Sequence, residues 1–291
     1  MKIYSIGSLN IDYVYSVDHF VAPGETLASD NMEIFPGGKG LNQSIALAKA
    51  GADVVHGAII GDGGQFLADT MKASGVDTSR LKTKSAPSGH AIIQVNKGGQ
   101  NCILLFAGTN HGYDAEYIEE ILSDASKGDI VLLQNEINCL DVIFEAAHKK
   151  GLQIAFNPSP YKESIKELPL EYVDWWFCNE IEGEALFGSS DPEEILESFI
   201  KMYPESNLIL TLGKNGSMFK NKSTKLYQPI YDAPRVDTTA AGDTFTGYFL
   251  HSVTSGKDFE TALKLATKAS SIAVSRKGAS VSIPTADEVV I

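Results

Sequence analysis

The sequence predicts an α/β fold: a mostly parallel central sheet covered by helices on both faces, with a small antiparallel sheet projecting from it. Apolar runs short enough to be buried strands alternate with amphipathic helical stretches, at Ile3 to Ser8, Val54 to Ile60, Ile130 to Gln134, Ile154 to Asn157, Trp175 to Asn179 and Leu208 to Leu212. That alternation is the texture of a parallel sheet buried between helix layers. Two other regions carry strand pattern with no helix between: Asp12 to Val17 with Leu27 to Phe35, and His90 to Val95 with Cys102 to Phe106. Turn signals such as Lys97-Gly98-Gly99 break them, as in a sheet of hairpins. These insertions, at about 12–35 and 88–106, leave no clean linker, so residues 1–291 are expected to form one domain.

In chain order, the first strand ends near Gly7, and Asn10 and Asp12 follow it. Polar residues at the carboxyl edge of a parallel sheet are where α/β proteins collect ligands. Next comes Pro36-Gly37-Gly38-Lys39-Gly40-Leu41-Asn42-Gln43, leading into a helix rich in small residues, Ser44, Ala46, Ala48 and Ala50. Its glycines let backbone approach a ligand, and Lys39 and Asn42 offer a charge and an amide; a plain turn has the same composition. Glu136 stands just past the apolar strand that ends at Gln134, where a carboxylate binds a hydroxyl or a metal-bound water, or is simply solvated. Asn157-Pro158-Ser159-Pro160 ends another strand, and its prolines fix a rigid exit, a role of shape. Asn179, Glu180 and Glu182 open a helix, as dipole-stabilising acids or as outer partners of a divalent cation.

The run Asp237-Thr-Thr-Ala-Ala-Gly-Asp243-Thr-Phe245 reads as the end of a β-type segment, a turn of small residues and the start of an amphipathic helix. The backbone N–H groups of Ala240, Ala241 and Gly242 can approach an oxyanion, and the helix turns its positive end to the same point. Asp243, in the first turn, is then placed to accept a proton from an attacking hydroxyl. An Asp at a helix start is also an ordinary cap; the second glycine motif at residues 36–43 favours the chemical role.

Other classes lack their signatures. A Walker A loop is completed neither at Gly37-Gly38-Lys39 nor at Gly256-Lys257-Asp258, and in Gly61-Asp62-Gly63-Gly64 the last glycine of a dinucleotide fingerprint falls on Phe66. No nucleophile elbow or paired-histidine zinc motif occurs. The histidines are scattered, and Cys102, Cys139 and Cys178 are widely spaced, expected as reduced core thiols. The formal charge of −13 argues against nucleic acid as a partner. No apolar run is long enough to span a membrane, so a soluble cytoplasmic protein is expected. With 43% apolar residues the chain can bury a large core.

The segments GSLNID (7–12), PGGKGLNQ (36–43), GDGG (61–64), AGTN (107–110), NPSP (157–160), NEIE (179–182), TLG (211–213) and DTTAAGDTF (237–245) occur in the order seen in the ribokinase family of carbohydrate kinases. The chain resembles that family over nearly its whole length, down to Ala273-Val-Ser-Arg-Lys-Gly-Ala279. The resemblance implies a ribokinase-like three-layer sandwich, a β lid that closes over the sugar and serves as a homodimer contact, and ATP-dependent phosphorylation of a primary hydroxyl. Asp243 would be the base, with Ala240, Ala241 and Gly242 as the anion hole. Asn10, Asp12, Gly38, Lys39, Asn42 and Glu136 would contact the sugar, as would Asp243. Asn179, Thr211, Gly213, Gly216 and Gly242 would line the ATP site, and Glu182 would hold magnesium through water. Asp237, Thr239, Gly278 and Ser282 would surround a monovalent cation, potassium. D-ribose is the expected sugar. Fructokinase, 2-keto-3-deoxygluconate kinase and nucleoside kinase are the alternatives within the class, and a non-catalytic sugar-binding regulator is the alternative outside it. Leu41, Asn135 and Thr109 depart from the family pattern and bear on substrate choice.

Overall fold

A computed structural model describes all 291 residues. Its centre is β1 (Ile3–Ile6), whose four residues are all buried because parallel strands flank it on both sides. These are β4 (Val54–Asp62) and β8 (Ile130–Gln134). Beyond β8 the sheet continues through β9 (Gln153–Asn157), β10 (Val173–Asn179) and β11 (Asn207–Thr211), all parallel. The far edge is finished by an antiparallel hairpin, β12 (Ser217–Lys220) and β13 (Lys225–Gln228), and the near edge by β5 (Asp77–Pro87) beside β4. The order is β13-β12-β11-β10-β9-β8-β1-β4-β5.

Because side chains alternate along a strand, each strand feeds two cores. Tyr4, Ile6, Val131, Leu133, Phe156 and Trp176 point to one face, under α3 (Ala115–Ile121), α4 (Leu140–Lys150), α5 (Glu180–Phe187) and α6 (Pro192–Met202). Ile3, Ile130, Leu132, Ala155, Phe177 and Ile209 point to the other, under α1 (Lys39–Ala50), α2 (Gln65–Ala73), α7 (Ala241–Thr254) and α8 (Phe259–Val274). The result is the expected three-layer sandwich. No helix is long and apolar enough to cross a membrane.

The lid is a separate four-stranded sheet, ordered β3-β2-β6-β7: β2 (Asn10–Val17), β3 (Asn31–Gly37), β6 (His90–Asn96) and β7 (Asn101–Phe106). The pairs β2·β3 and β6·β7 are antiparallel, and the central contact β2·β6 that joins them is parallel.

Several boundaries differ from the sequence reading for identifiable reasons. Strands β5 and β13 escape a search for apolar runs because they are edges, where charged and polar residues face water, and β12 escapes it because it is only four residues long, with two polar members. Leu27 to Asp30 is not strand; there Ser29 donates its hydroxyl to Ser16 O and Asn31 O. The β-type segment expected to end at Asp237 is irregular instead: Pro229 and Pro234 deny the chain before it ladder donors, and the Val236 and Asp237 N–H groups both converge on Val274 O, at 2.9 and 3.1 Å. Of the three cysteines only Cys178 is a core thiol, since Cys102 lies exposed on β7 and Cys139 is half-buried.

The small residues of α1 matter where it crosses α7. A Cβ added at Gly247 would lie 2.5 Å from Ala46 Cβ and 2.8 Å from the backbone of Ala46 and Leu47, so the two helices meet almost backbone to backbone. In an unconstrained helix Gly→Ala stabilises by roughly 0.5–1 kcal/mol. Here Gly247→Ala is expected to destabilise by about 1–3 kcal/mol, the cost of overpacking against backbone, as measured by the midpoint of chemical denaturation; a stabilised variant would contradict the close crossing.

Candidate active site

One end of the site is built where the chain leaves β1 and where α1 begins. Gly38 has φ 96°, a left-handed conformation that turns β3 sharply into α1. The Lys39 N–H at the start of α1 donates to Glu136 Oε2 at 3.0 Å, and the Ser8 hydroxyl donates to the same oxygen, leaving Glu136 Oε1 free. Asp12, on β2, hangs over Gly37 so closely that a Cβ there would lie 2.0 Å from Asp12 Oδ2. Asn10 is buried, and its Oδ1 accepts from Asn110 Nδ2 at 2.7 Å, while Asn110 Oδ1 accepts from Leu9 N–H at 3.0 Å. The Asn10 amide nitrogen has no partner within the protein. Asn110 belongs to the AGTN segment, whose positioning role the sequence alone did not reveal.

Burial, reinforced by the neighbouring Glu136, pushes the Asp12 carboxyl from its ordinary 3.8 up to about 7. Lys39 is affected oppositely: burial disfavours its charge, but Asp243, Glu136 and Glu182 together raise its pKa above the ordinary lysine value. Its ammonium makes no hydrogen bond or ion pair within the protein, a cation held among acids and available to an anion.

Asp243 is buried in the first turn of α7 and is held by α1. Asn42 Nδ2 donates to its Oδ2 at 3.1 Å and Gln43 Nε2 to its Oδ1 at 2.9 Å. Asn42 Oδ1 is buried with no partner, an acceptor facing toward a missing donor. Before α7, Ala240 adopts φ 58°, a strained conformation for a residue with a side chain. The expected set of three free amides is corrected here. Ala241 N–H turns back to Thr238 O at a long 3.3 Å, while those of Ala240, Gly242 and Asp243 have no partner in the protein. A side chain at Gly242 would meet nothing within 4 Å, so the space in front of these amides is open.

Two cavities meet at this turn. The smaller, about 230 Å³, is lined by Lys39, Asn157, Asn179, Gly242 and Asp243. The larger, about 470 Å³, runs past Asn179, Thr211, Gly213, Gly216 and Gly242 toward Tyr231 and Arg235. Gly242 and Asn179 line both. Asn179 caps α5, accepting from Ile181 and Glu182 N–H, while Glu182 Oε2 accepts from Asn179 N–H at 2.7 Å. Glu182 Oε1 accepts from the Ser159 hydroxyl at 2.5 Å, so the NPSP segment contributes a contact as well as a rigid exit. With both Glu182 oxygens engaged and no cluster of three acidic, histidine or cysteine groups able to hold a metal, a divalent cation fits here only through phosphate and water. Glu180 lies exposed at the rim of the larger cavity.

Beside the turn, Asp237 Oδ1 accepts from Thr239 N–H at 2.9 Å and from its hydroxyl at 2.6 Å, and Oδ2 accepts from Gly278 N–H at 3.0 Å. Partial burial disfavours its charge, but these bonds and Lys277 hold its pKa below the usual carboxylate value. The buried Ser282 donates to Ala279 O at 2.7 Å, and Ser280 Oγ in the same loop is buried without a partner.

The three departures from the family pattern separate. Leu41 is fully buried in the core under α1, and Asn135 reaches away to Pro160 O at 2.6 Å. Thr109 is buried with its hydroxyl unpartnered.

Because the folded-state pKa of Asp12 lies above the unfolded value, folding takes up a proton between pH of about 4 and 7, and this group's contribution to stability falls as pH rises through that window. Asp12→Asn is therefore expected to raise the denaturation midpoint at pH 8 and to lose that gain as pH falls toward 4. A gain independent of pH would contradict the assignment.

The pfkB family carbohydrate kinase model matches residues 1–286. A ribokinase of Haemophilus influenzae is 33% identical over 97% of this chain and 95% of its own length. Among solved structures, a ribokinase from Thermotoga maritima superimposes with a TM-score of 0.88 at 37% identity, covering 99% of this chain and 97% of that one. Arabidopsis thaliana ribokinase complexed with ribose and ATP also gives 0.88, at 28% identity, over 99% of this chain and 96% of that one. With the match running from the first strand through the last helix, the chain belongs to the pfkB family of carbohydrate kinases.

Proposed function

We propose that this protein transfers the γ-phosphoryl group of ATP to a primary hydroxyl of a small sugar, D-ribose, giving ribose 5-phosphate and ADP. The observation that carries the reading is Asp243, fixed by two amides at the point where the two cavities meet and beside amides with no other partner. The sugar takes Asn10, Asp12, Gly38, Lys39, Asn42 and Glu136 as its contacts, and the smaller cavity, which Lys39 and Asp243 line together with the turn before α7, takes the phosphoryl group in transfer. The orphaned Asn42 Oδ1 supports this, being a buried acceptor that a sugar hydroxyl would satisfy. The larger cavity, with Thr211, Gly213 and Gly216, takes the nucleotide.

Chemistry follows from the arrangement. Asp243 accepts the hydroxyl proton as the sugar oxygen bonds to the γ-phosphorus and the bond to the β-phosphate oxygen breaks. The N–H groups of Ala240 and Gly242, with Lys39, face the charge that gathers on the phosphoryl oxygens. Asn179 and Glu182 would hold magnesium through water, and the ion would supply neutralisation of the phosphate charge. D-ribose is favoured because relatives along nearly the full chain are ribokinases, one of them solved with ribose and ATP. A homodimer through the lid is supported by exposed Ile103, Leu104, Leu105 and Phe106 on β7, and by Met32 and Ile34 on β3. A cytoplasmic location is in keeping with ATP as the phosphoryl donor.

In an ADP-release assay, D-ribose is expected to give the highest kcat/KM in a panel with 2-deoxyribose, fructose, 2-keto-3-deoxygluconate and adenosine, and Asp243→Asn to lower turnover by roughly 10²-fold or more while leaving sugar binding intact. A protein whose melting temperature rises with sugar but which releases no ADP would be a binder instead, and near-wild-type turnover of the variant would remove the mechanism.

Asp237, Thr239, Gly278 and Ser282 form our candidate site for a monovalent cation. Its support is an ionised carboxylate beside a loop with an unpartnered hydroxyl. A cation there would stiffen the turn without touching substrate, so potassium is expected to raise kcat above its value in sodium; equal rates in potassium and tetramethylammonium would sink this part.

A further inference from the structure

Asn42 and Gln43 both donate to Asp243, but a glutamine amide has two nearly isosteric ends. If the Gln43 amide turned over, its oxygen would face the Asp243 carboxylate. What holds the donor end forward is Gln134, the last residue of β8, whose Nε2 donates to Gln43 Oε1 at 2.7 Å. Turning Gln43 over would set oxygen against carboxylate at one end and nitrogen against nitrogen at the other, so the pair has a single compatible orientation. Both glutamines have no exposed surface.

Gln134 is an expensive residue for this position. It ends an apolar strand whose other four members, Ile130 to Leu133, are all buried, and its Oε1 is buried without a partner. An orphaned buried acceptor is costly, a cost that a leucine or methionine would avoid. The slot is also built for it, since a Cβ on Gly7 would lie 2.2 Å from Gln134 Oε1. Core stability alone gives no reason for this arrangement. The strand that carries Gln134 also leads to Glu136, which accepts from Lys39 N–H. The end of β8 therefore grips α1 at Lys39 and again at Gln43, one helical turn further on.

We propose that Gln134, acting through Gln43, is a positioning residue that fixes the rotation of the Asp243 carboxylate. The inference rests on the kinase reading above. It assigns Gln134 no contact with sugar or nucleotide, so its loss appears in turnover rather than in binding.

The test measures kcat and both KM values for wild type, Gln134→Leu, Gln43→Leu and the double variant, varying ATP or D-ribose in turn with the other substrate and magnesium saturating. Gln134→Leu is expected to lower kcat about 10- to 100-fold, the scale of a misplaced catalytic group, with both KM values within about twofold of wild type, the pattern of an interaction made in the transition state. The double variant is expected to be no slower than Gln43→Leu alone, because Gln134 acts only through Gln43. An unchanged kcat, a loss confined to KM, or additive losses in the double variant would each overturn the inference. If Gln134→Leu does not fold, Gln134→Glu keeps the shape. Its protonated form can donate to Gln43 and its ionised form cannot, so its kcat relative to wild type is expected to rise as pH falls, and a flat ratio overturns the inference. A wild type without turnover on any sugar overturns the kinase reading and this inference together; an active wild type matched by Gln134→Leu overturns this inference alone.

Discussion

The site depends on how closely the start of α1 is pressed against the chain leaving β1. A Cβ at Gly40 would lie 2.5 Å from Gly7 C and Ser8 N, and one at Gly7 would lie 2.8 Å from Gly40 Cα. No side chain separates the two backbones. This contact sets the height of α1 above the sheet, and so decides where the Lys39 N–H, the Asn42 amide and the Gln43 amide fall. On the opposite flank, the equally bare contact of Gly247 with Ala46 sets α7 against α1. Asp243 reaches Asn42 and Gln43 because both distances are fixed by backbone rather than by flexible side chains.

A second constraint is electrostatic. The chain carries a formal charge of −13, and its site gathers Glu136, Glu182 and Asp243 around one lysine, with Asp12 beside Glu136. A general field of that sign repels a polyanion such as ATP. The compensation is local: unpartnered amides at the turn before α7, a lysine whose charge is reinforced by acids, and Glu182 oxygens already occupied by Asn179 N–H and the Ser159 hydroxyl. Asp12, with no donor from the protein and Glu136 nearby, has its carboxyl pushed up to about 7. Hydroxyl groups of a bound sugar are the donors such a carboxyl lacks.

Much of this was legible in the sequence because the ligand-handling groups are short motifs fixed to element ends. The buried central strands announced themselves as continuous apolar runs, and Lys39, Asn42 and Asp243 stand beside glycines or alanines that local turns require. The edge strands β5 and β13 were not legible, since half-solvated strands carry no such run, and the four-residue β12 was too short to show one. Asn110, Gln43 and Gln134 were missed for a different reason. Each acts through a partner distant in sequence, Gln134 through a residue 91 positions away and Gln43 through one 200 positions away. A polar residue closing an otherwise apolar strand was the one available signal for Gln134. The use of the Ala241 N–H in a turn bond follows from the left-handed Ala240, a backbone feature that an alanine does not advertise.

The parallel pairing of β2 with β6 has a kinetic consequence. Strand β2 begins at Asn10 and Asp12 and runs on to Val17 as an inner strand of the lid. In the proposed function the lid and the floor of the sugar pocket are thus one covalent strand, registered to β6 along Ile11 to Val17. The lid cannot swing as an independent flap without pulling Asp12 off its ligand. Occupancy by sugar and closure become the same event, which favours an ordered sequence with sugar entering first, and leaves nucleotide that arrives early facing an incomplete acceptor site instead of a competent one that water could exploit.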